Sequence, residues 1–251
     1  MVTLTLLPDD SPTLTVSEVF GPTIQGEGRS QGRAVVFLRL GLCNLDCSWC
    51  DTPFTWDWTG KNGVAYDKTV ELDRISVDTL VEHLIERCAG VVNRIVISGG
   101  EPMIQQKRLE PLIAMLAQVG ITVEIETNGT IAPDQLLHWQ NVVSYNCSPK
   151  LANSGVDREA RINQEALDTL ARLDTTFKFV IAGPDDIEEV EDYIYRHLPN
   201  VAPHRIYVMP EGTTADRITP HLPSIMRTAA NNGWGISPRL HVLAYGNERG
   251  I

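Results

Sequence analysis

Three cysteines, Cys43, Cys47 and Cys50, fall within eight residues in the run GLCNLDCSWCDT, while Cys88 and Cys147 stand alone. Thiols at that density bind soft metals or carry redox chemistry. A [4Fe-4S] cluster needs a ligand on each iron, so three protein thiolates leave one iron open to something else. A structural zinc site competes with that reading, but it ordinarily takes four ligands, and no second CxxC pair or HxxxH accompanies the triad. A redox CxxC at Cys47 and Cys50 would leave Cys43 unexplained, and the chain has no thioredoxin-like start. Five cysteines so spaced do not suit a disulfide framework.

Elements that position such a triad are legible in the hydrophobic pattern. Short Val/Ile/Phe-rich runs alternate with longer amphipathic stretches, the mark of β/α units on a parallel sheet. Strands are predicted at 34–40, 94–98, 121–126, 142–147, 176–181 and 205–209. Helices are predicted at 76–88, 107–119, 133–139, 164–173, 185–197 and 218–231. In the first of these, Val77, Leu80, Val81, Leu84, Ile85 and Cys88 share one face at helical spacing, which makes Cys88 core filler. Cys147 ends an apolar strand and is read as core or as a neighbour of the site.

Six repeats predict an α/β fold, a modified partial (β/α)6 barrel of TIM-like type. GLCNLDCSWCDT, SGGEP, ETNGT, CSPK and MPEG each follow a predicted strand. In parallel β/α barrels that edge carries the active site. Arg39 lies inside an apolar strand, where an unpaired cation is costly, so a salt bridge or a bound carboxylate is expected beside it. Residues 53–74 are polar, contain two Gly and two Trp, and have no period, so they read as an inserted functional loop. Residues 1–15 read as a loose lead-in.

With 251 residues, 43% of them hydrophobic, the chain can bury a sizeable core, and one domain over 1–251 is expected. A net charge of -11 with no Lys/Arg block argues against nucleic acid as a partner. No apolar run approaches the roughly 20 residues that span a bilayer, and MVTLTLLPDD lacks the parts of a signal peptide, so a cytoplasmic protein with no membrane contact is expected.

CxxxCxxC after the first of the six strands and SGGEP after the second resemble the radical S-adenosylmethionine (SAM) superfamily. The resemblance narrows to the 7-carboxy-7-deazaguanine synthase family through TIQGEG, Arg39, CNLDCSWCDT, ETNGT, SPK and RLHVLAYGNERGI, over about residues 17–251. It implies a [4Fe-4S] cluster on Cys43, Cys47 and Cys50, SAM as a reusable cofactor, and Mg²⁺ on the Thr52 hydroxyl. It also implies ring contraction of 6-carboxy-5,6,7,8-tetrahydropterin to 7-carboxy-7-deazaguanine and ammonia, on the queuosine and deazapurine route. Hydrogen would leave C6 of the substrate and later return. A homodimer and a flavodoxin-like or other electron donor are the implied partners.

The same resemblance assigns roles residue by residue. Trp49, Cys50, Asp51, Gly100, Glu101, Glu126, Asn128, Ser148, Pro149, Lys150, Met209, Pro210, Glu211 and Gly212 would bind SAM. Ile24, Gln25, Gly26, Glu27, Arg39, Ser98, His241 and Ile251 would bind the pterin, with Glu27 accepting from its aminopyrimidinone and Arg39 clamping its carboxylate. Glycines in GGEP would let a ligand approach the main chain. Plainer readings stand beside these: a tight turn for GEG, an Asx turn for Asn128, a structural role for His241. The competing activity is a radical SAM activase acting on a protein glycine, which would lack TIQGEG and RLH.

Overall fold

The structure, a computed structural model, describes residues 12–183 and 185–251. Among the described residues one nine-stranded sheet forms, with strands β1 (Thr13–Ile24), β2 (Ala34–Leu40), β3 (Asp73–Ser76), β4 (Arg94–Gly99), β5 (Thr122–Thr127), β6 (Val143–Cys147), β7 (Thr175–Ile181), β8 (Ile206–Pro210) and β9 (Gly235–Ile236). The order is β3-β1-β2-β4-β5-β6-β7-β8-β9. From β2 to β9 every neighbouring pair is parallel, while β1 runs antiparallel to both β2 and β3. All six strands expected from the sequence are present within two residues of their predicted bounds.

Three differences have physical reasons. β1 carries polar and small residues at alternate positions (TLTVSEVFGPTI), so its pattern is weak, and residues 13–15 of the expected lead-in belong to it. Residues 1–11 of that lead-in lie outside the described residues. The 53–74 segment is not wholly loop: it contains a 3₁₀ turn at Pro53–Thr55, a short helix at Lys68–Glu71 capped by the Asp67 carboxylate, and the start of β3. Finally, the expected helix at 133–139 is a 3₁₀ segment, Asp134–Trp139.

The parallel strands alternate with period two, and this alternation divides core from site. Val36, Leu38, Leu40, Ile95, Ile97, Val123, Ile125, Phe177 and Phe179 pack outward against helices such as Val77–Cys88 and Gln106–Gln118, forming the main core. Cys88 and Cys147 belong to that core, as expected. Arg39, Ser98, Glu126, Asn146, Lys178 and Val180 occupy the alternate positions and line the concave face. Among the described residues no helix is long and apolar enough to cross a membrane.

Candidate active site

The concave face encloses a cavity of about 550 Å³, with the three cysteines at one end and a charged cluster at the other. Cys43, Cys47 and Cys50 pack with Leu45 and Val156 in a small apolar cluster of their own. Burial, above all else, raises each thiol, Cys43 to about 12, so the thiolate form needs the positive charge of a metal centre beside it. The Leu45 amide lies 3.5 Å from Cys43 Sγ, Trp56 Nε1 lies 3.3 Å from Cys50 Sγ, and the Thr52 hydroxyl lies 3.7 Å from the same Cys50 sulfur. Trp56 comes from the 53–74 segment, and Asn62 of the same segment donates to the Cys47 carbonyl at 3.0 Å. That segment therefore wraps the cysteine loop.

SGGEP braces the same loop from beneath. A Cβ on Gly99 would lie 2.0 Å from the Leu40 carbonyl oxygen, and one on Gly100 would lie 1.9 Å from that of Leu42. Both glycines line the cavity, and the contact that already demands them is with the backbone leading into Cys43. Glu101 is no wall residue. Its buried carboxylate accepts from the Met103 and Asn128 amides at 3.0 and 2.7 Å and from the Thr127 hydroxyl at 2.8 Å, tying the end of β4 to the end of β5.

Asn128 Oδ1 accepts from the Thr130 amide at 2.9 Å, the Asx turn that was its plainer reading, while its Nδ2 donates to Asn44 at 3.0 Å. Lys150 Nζ sits 5.4 Å over the Trp49 ring and donates to Ser148 at 3.0 Å. Trp49, Asp51, Thr52, Ser148, Lys150, Met209, Glu211 and Gly212 all border the cavity. Pro149 and Pro210 are buried but do not border it.

At the far end Glu27 is the hub. Its Oε1 accepts from Arg239 Nε at 2.9 Å and its Oε2 from Lys178 Nζ. Burial alone would raise its pKa, but Lys178, Arg239 and His241 outweigh that and hold it far below the carboxylate range. Arg239 extends the network to Asp51 Oδ2 and to the Gly212 carbonyl. His241 packs so tightly on Gly26 that a Cβ there would lie 2.0 Å from its Nδ1. Burial lowers the His241 pKa, so at neutral pH the ring is uncharged and can accept a hydrogen bond.

Gln25 is held in place by the protein's own groups. It borders the cavity, yet its Nε2 donates to Glu124 and Glu126, each at 3.1 Å, and its Oε1 accepts from the Glu27 amide at 3.2 Å, so its amide serves the protein. Glu126 is pushed up to about 7, chiefly by burial and further by Glu27 and Glu124, against the pull of Lys178. Arg39 Nε bridges Glu18 at 2.6 Å, the salt bridge that was the plainer alternative to a substrate clamp, while the side chain still borders the cavity. Ile24, Ser98 and Ile251 also border it.

Sequence reasoning missed Lys178, Arg239, Asn146 and Trp56. Lys178 carried a signal, a cation inside the apolar run TTFKFVI. Arg239 opens the RLH motif, two residues before its histidine, but was assigned nothing, and its left-handed backbone, φ 56°, was not foreseeable.

A cysteine triad walling one end of a cavity on the concave face of a parallel sheet defines a radical SAM protein. Residues 39–194 match the Radical SAM superfamily. The chain is 34% identical to the 7-carboxy-7-deazaguanine synthase of Pyrobaculum aerophilum, over 96% of this chain and 98% of that one. It is 28% identical to that of Bacillus cereus, over 95% and 99%. The crystal structure of QueE from Escherichia coli superposes with a TM-score of 0.67 at 24% identity, covering 89% of this chain and 92% of that one, and shares the fold. The chain belongs to the 7-carboxy-7-deazaguanine synthase family within that superfamily.

Proposed function

We propose that this protein converts 6-carboxy-5,6,7,8-tetrahydropterin to 7-carboxy-7-deazaguanine and ammonia by radical SAM chemistry. One observation carries the reading: the cysteine triad and the Glu27 cluster face each other across a single cavity. The residues present fit the implied groups. Three thiols packed together on the cavity wall suit a [4Fe-4S] cluster, and the buried, unpartnered Ser98 Oγ and Asn146 Oδ1 mark wall positions short of a polar partner. When bound, cluster and SAM together supply the electron and the radical that start the reaction.

The remaining steps belong to the chain. Trp49, Lys150 and Ser148 with Met209, Glu211 and Gly212 would hold SAM along the cluster side of the cavity. Glu27 offers carboxylate lone pairs to the donor edge of the pterin, neutral His241 offers a ring nitrogen, and Arg39 offers its guanidinium to the substrate carboxylate. Glu126 titrates in the working range and takes or returns a proton at a carboxylate oxygen when the new pyrrole becomes aromatic. Lys178 keeps its charge, because Glu27 and Glu126 outweigh the effect of burial, and balances them through that exchange. Among the described residues no three His, Cys, Asp or Glu side chains form a site for a single metal ion. As the family resemblance implies, Mg²⁺ would rest on the Thr52 hydroxyl, which borders the cavity, and on oxygens from substrate and water. A homodimer and a flavodoxin-like electron donor belong to the same reading.

Anaerobic incubation of reconstituted protein with SAM, a reductant and the carboxytetrahydropterin tests it, with the product identified by mass. Formation of 7-carboxy-7-deazaguanine supports the proposal. Cleavage of SAM with no deazaguanine formed would favour the glycine-activating alternative.

A further inference from the structure

Residues 246–251 border the cavity without belonging to a helix or strand, so something other than backbone pairing must seat them there. Arg249 supplies it with every guanidinium nitrogen. Nε donates to Glu18 Oε2 at 3.1 Å, one terminal nitrogen to Glu71 at 2.8 Å, and the other lies 3.4 Å from the Ser17 hydroxyl. Its plane sits 3.8 Å from the centre of the Phe54 ring. Burial alone would lower the Arg249 pKa; Glu71 and Glu18 more than reverse this, so the cation is held.

Glu18 is shared. Its other oxygen, Oε1, takes Arg39 Nε at 2.6 Å. Arg39 lies between aromatic rings, 5.4 Å from the centre of Phe20 and 5.8 Å from that of Phe54, and Phe20 is itself stacked on Phe37 at 4.8 Å. A guanidinium held at Nε and flanked by rings has its plane and direction set, and among the described residues neither terminal nitrogen of Arg39 has a hydrogen-bond partner. Glu18 and Glu71 are each 16% exposed, against 42% for Arg249, so two sheltered carboxylates hold one accessible cation.

We propose that Glu18 and Arg249 are positioning residues for the substrate end: Glu18 aims Arg39 with one oxygen and, through Arg249, latches the 246–251 segment over the cavity with the other. The inference rests on the reading of that end as the site of the carboxylated pterin. A shared carboxylate makes the two arms one unit, so their losses should not multiply. The latch is partly exposed and so should also weaken with salt.

The test compares Arg249→Ala, Arg249→Lys, Glu18→Gln and the double variant Glu18→Gln/Arg249→Ala as reconstituted holoenzymes. Arg249→Ala should raise the substrate KM about fivefold, as befits a partly exposed ion pair with a ring contact, with kcat nearly unchanged and iron content and SAM binding normal. Arg249→Lys should recover part of the loss. The double variant should be less impaired than the product of the two single losses, because the Glu18 arm is counted in both while the Glu71 and Phe54 contacts are lost only with Arg249, and raising the salt should increase KM for the unaltered protein more than for Arg249→Ala. Hydrogen exchange at residues 247–251 should quicken in Arg249→Ala, a readout that needs no turnover and so separates failure of the latch from failure of the proposed reaction. Unchanged KM and unchanged exchange in Arg249→Ala, or effects that multiply in the double variant, would overturn the proposal.

Discussion

Glu126 and Glu27 lie on the same cavity wall and differ in charge state because of their partners. Glu27 is held between Lys178 and Arg239, whereas Glu126 has Gln25 and Asn146 as donors and two carboxylates nearby. With a pKa near 7, Glu126 is protonated below that pH and a carboxylate above it. If it accepts a proton from the substrate, kcat/KM rises with pH through an inflection near 7, and Glu126→Gln removes that inflection. A pH profile of the two proteins decides it, and an identical inflection in the variant would exclude Glu126 as its source. The sign for stability is opposite. A carboxyl raised from 4.5 to about 7 stabilises the fold below 4.5, and that contribution is lost as pH rises through 7. Arg239 makes a second test at this scale. Its removal leaves Glu27 with Lys178 alone and Asp51 without its ion-pair partner, so the cost should fall below the figure of about 3–5 kcal/mol for a fully uncompensated buried charge. The half-exposed Asp51 arm reduces that figure. Arg239→Ala should therefore lower the melting temperature by several degrees and raise the substrate KM, and thermal unfolding beside steady-state kinetics would show both or refute the clamp.

Strand by strand, the sequence made the outward face easy to read and the inward face hard. Val36, Leu38, Ile95, Ile97 and Phe177 are apolar because helices cover them, so runs of such residues announced β2 and β4–β8. Lys178 and Asn146 looked like interruptions of those runs, when they are the alternate positions that face the cavity. β1 was not legible, since only one of its faces is apolar and it pairs antiparallel at the sheet's margin. The cysteines, Glu27, Arg39 and His241, singled out by motif, all border the cavity. The side chains of Gln25 and Glu101 are engaged in internal hydrogen bonds that only the folded geometry reveals. The tight turn of SGGEP against the cysteine loop gives the prediction for this scale. Gly100→Ala sets a methyl against the Leu42 carbonyl, and forced overpacking costs about 1–3 kcal/mol. Iron content after reconstitution should fall along with thermal stability; full iron loading would show that the two loops are not braced on each other.

Across the whole molecule, distant parts of the chain close one cavity: the turn after β1, the cysteine loop, the ends of β4 to β8, and residues 239–251. That arrangement has a direct consequence if the cluster end and the pterin end work together, because a hydrogen atom must cross between them. Turnover of substrate deuterated at C6, followed by mass analysis of the recovered SAM, measures that crossing. The account predicts deuterium in SAM at its 5′ carbon, dependent on Cys43, Cys47 and Cys50. Product formed with no label in SAM, or label transfer that survives Cys50→Ala, would contradict it.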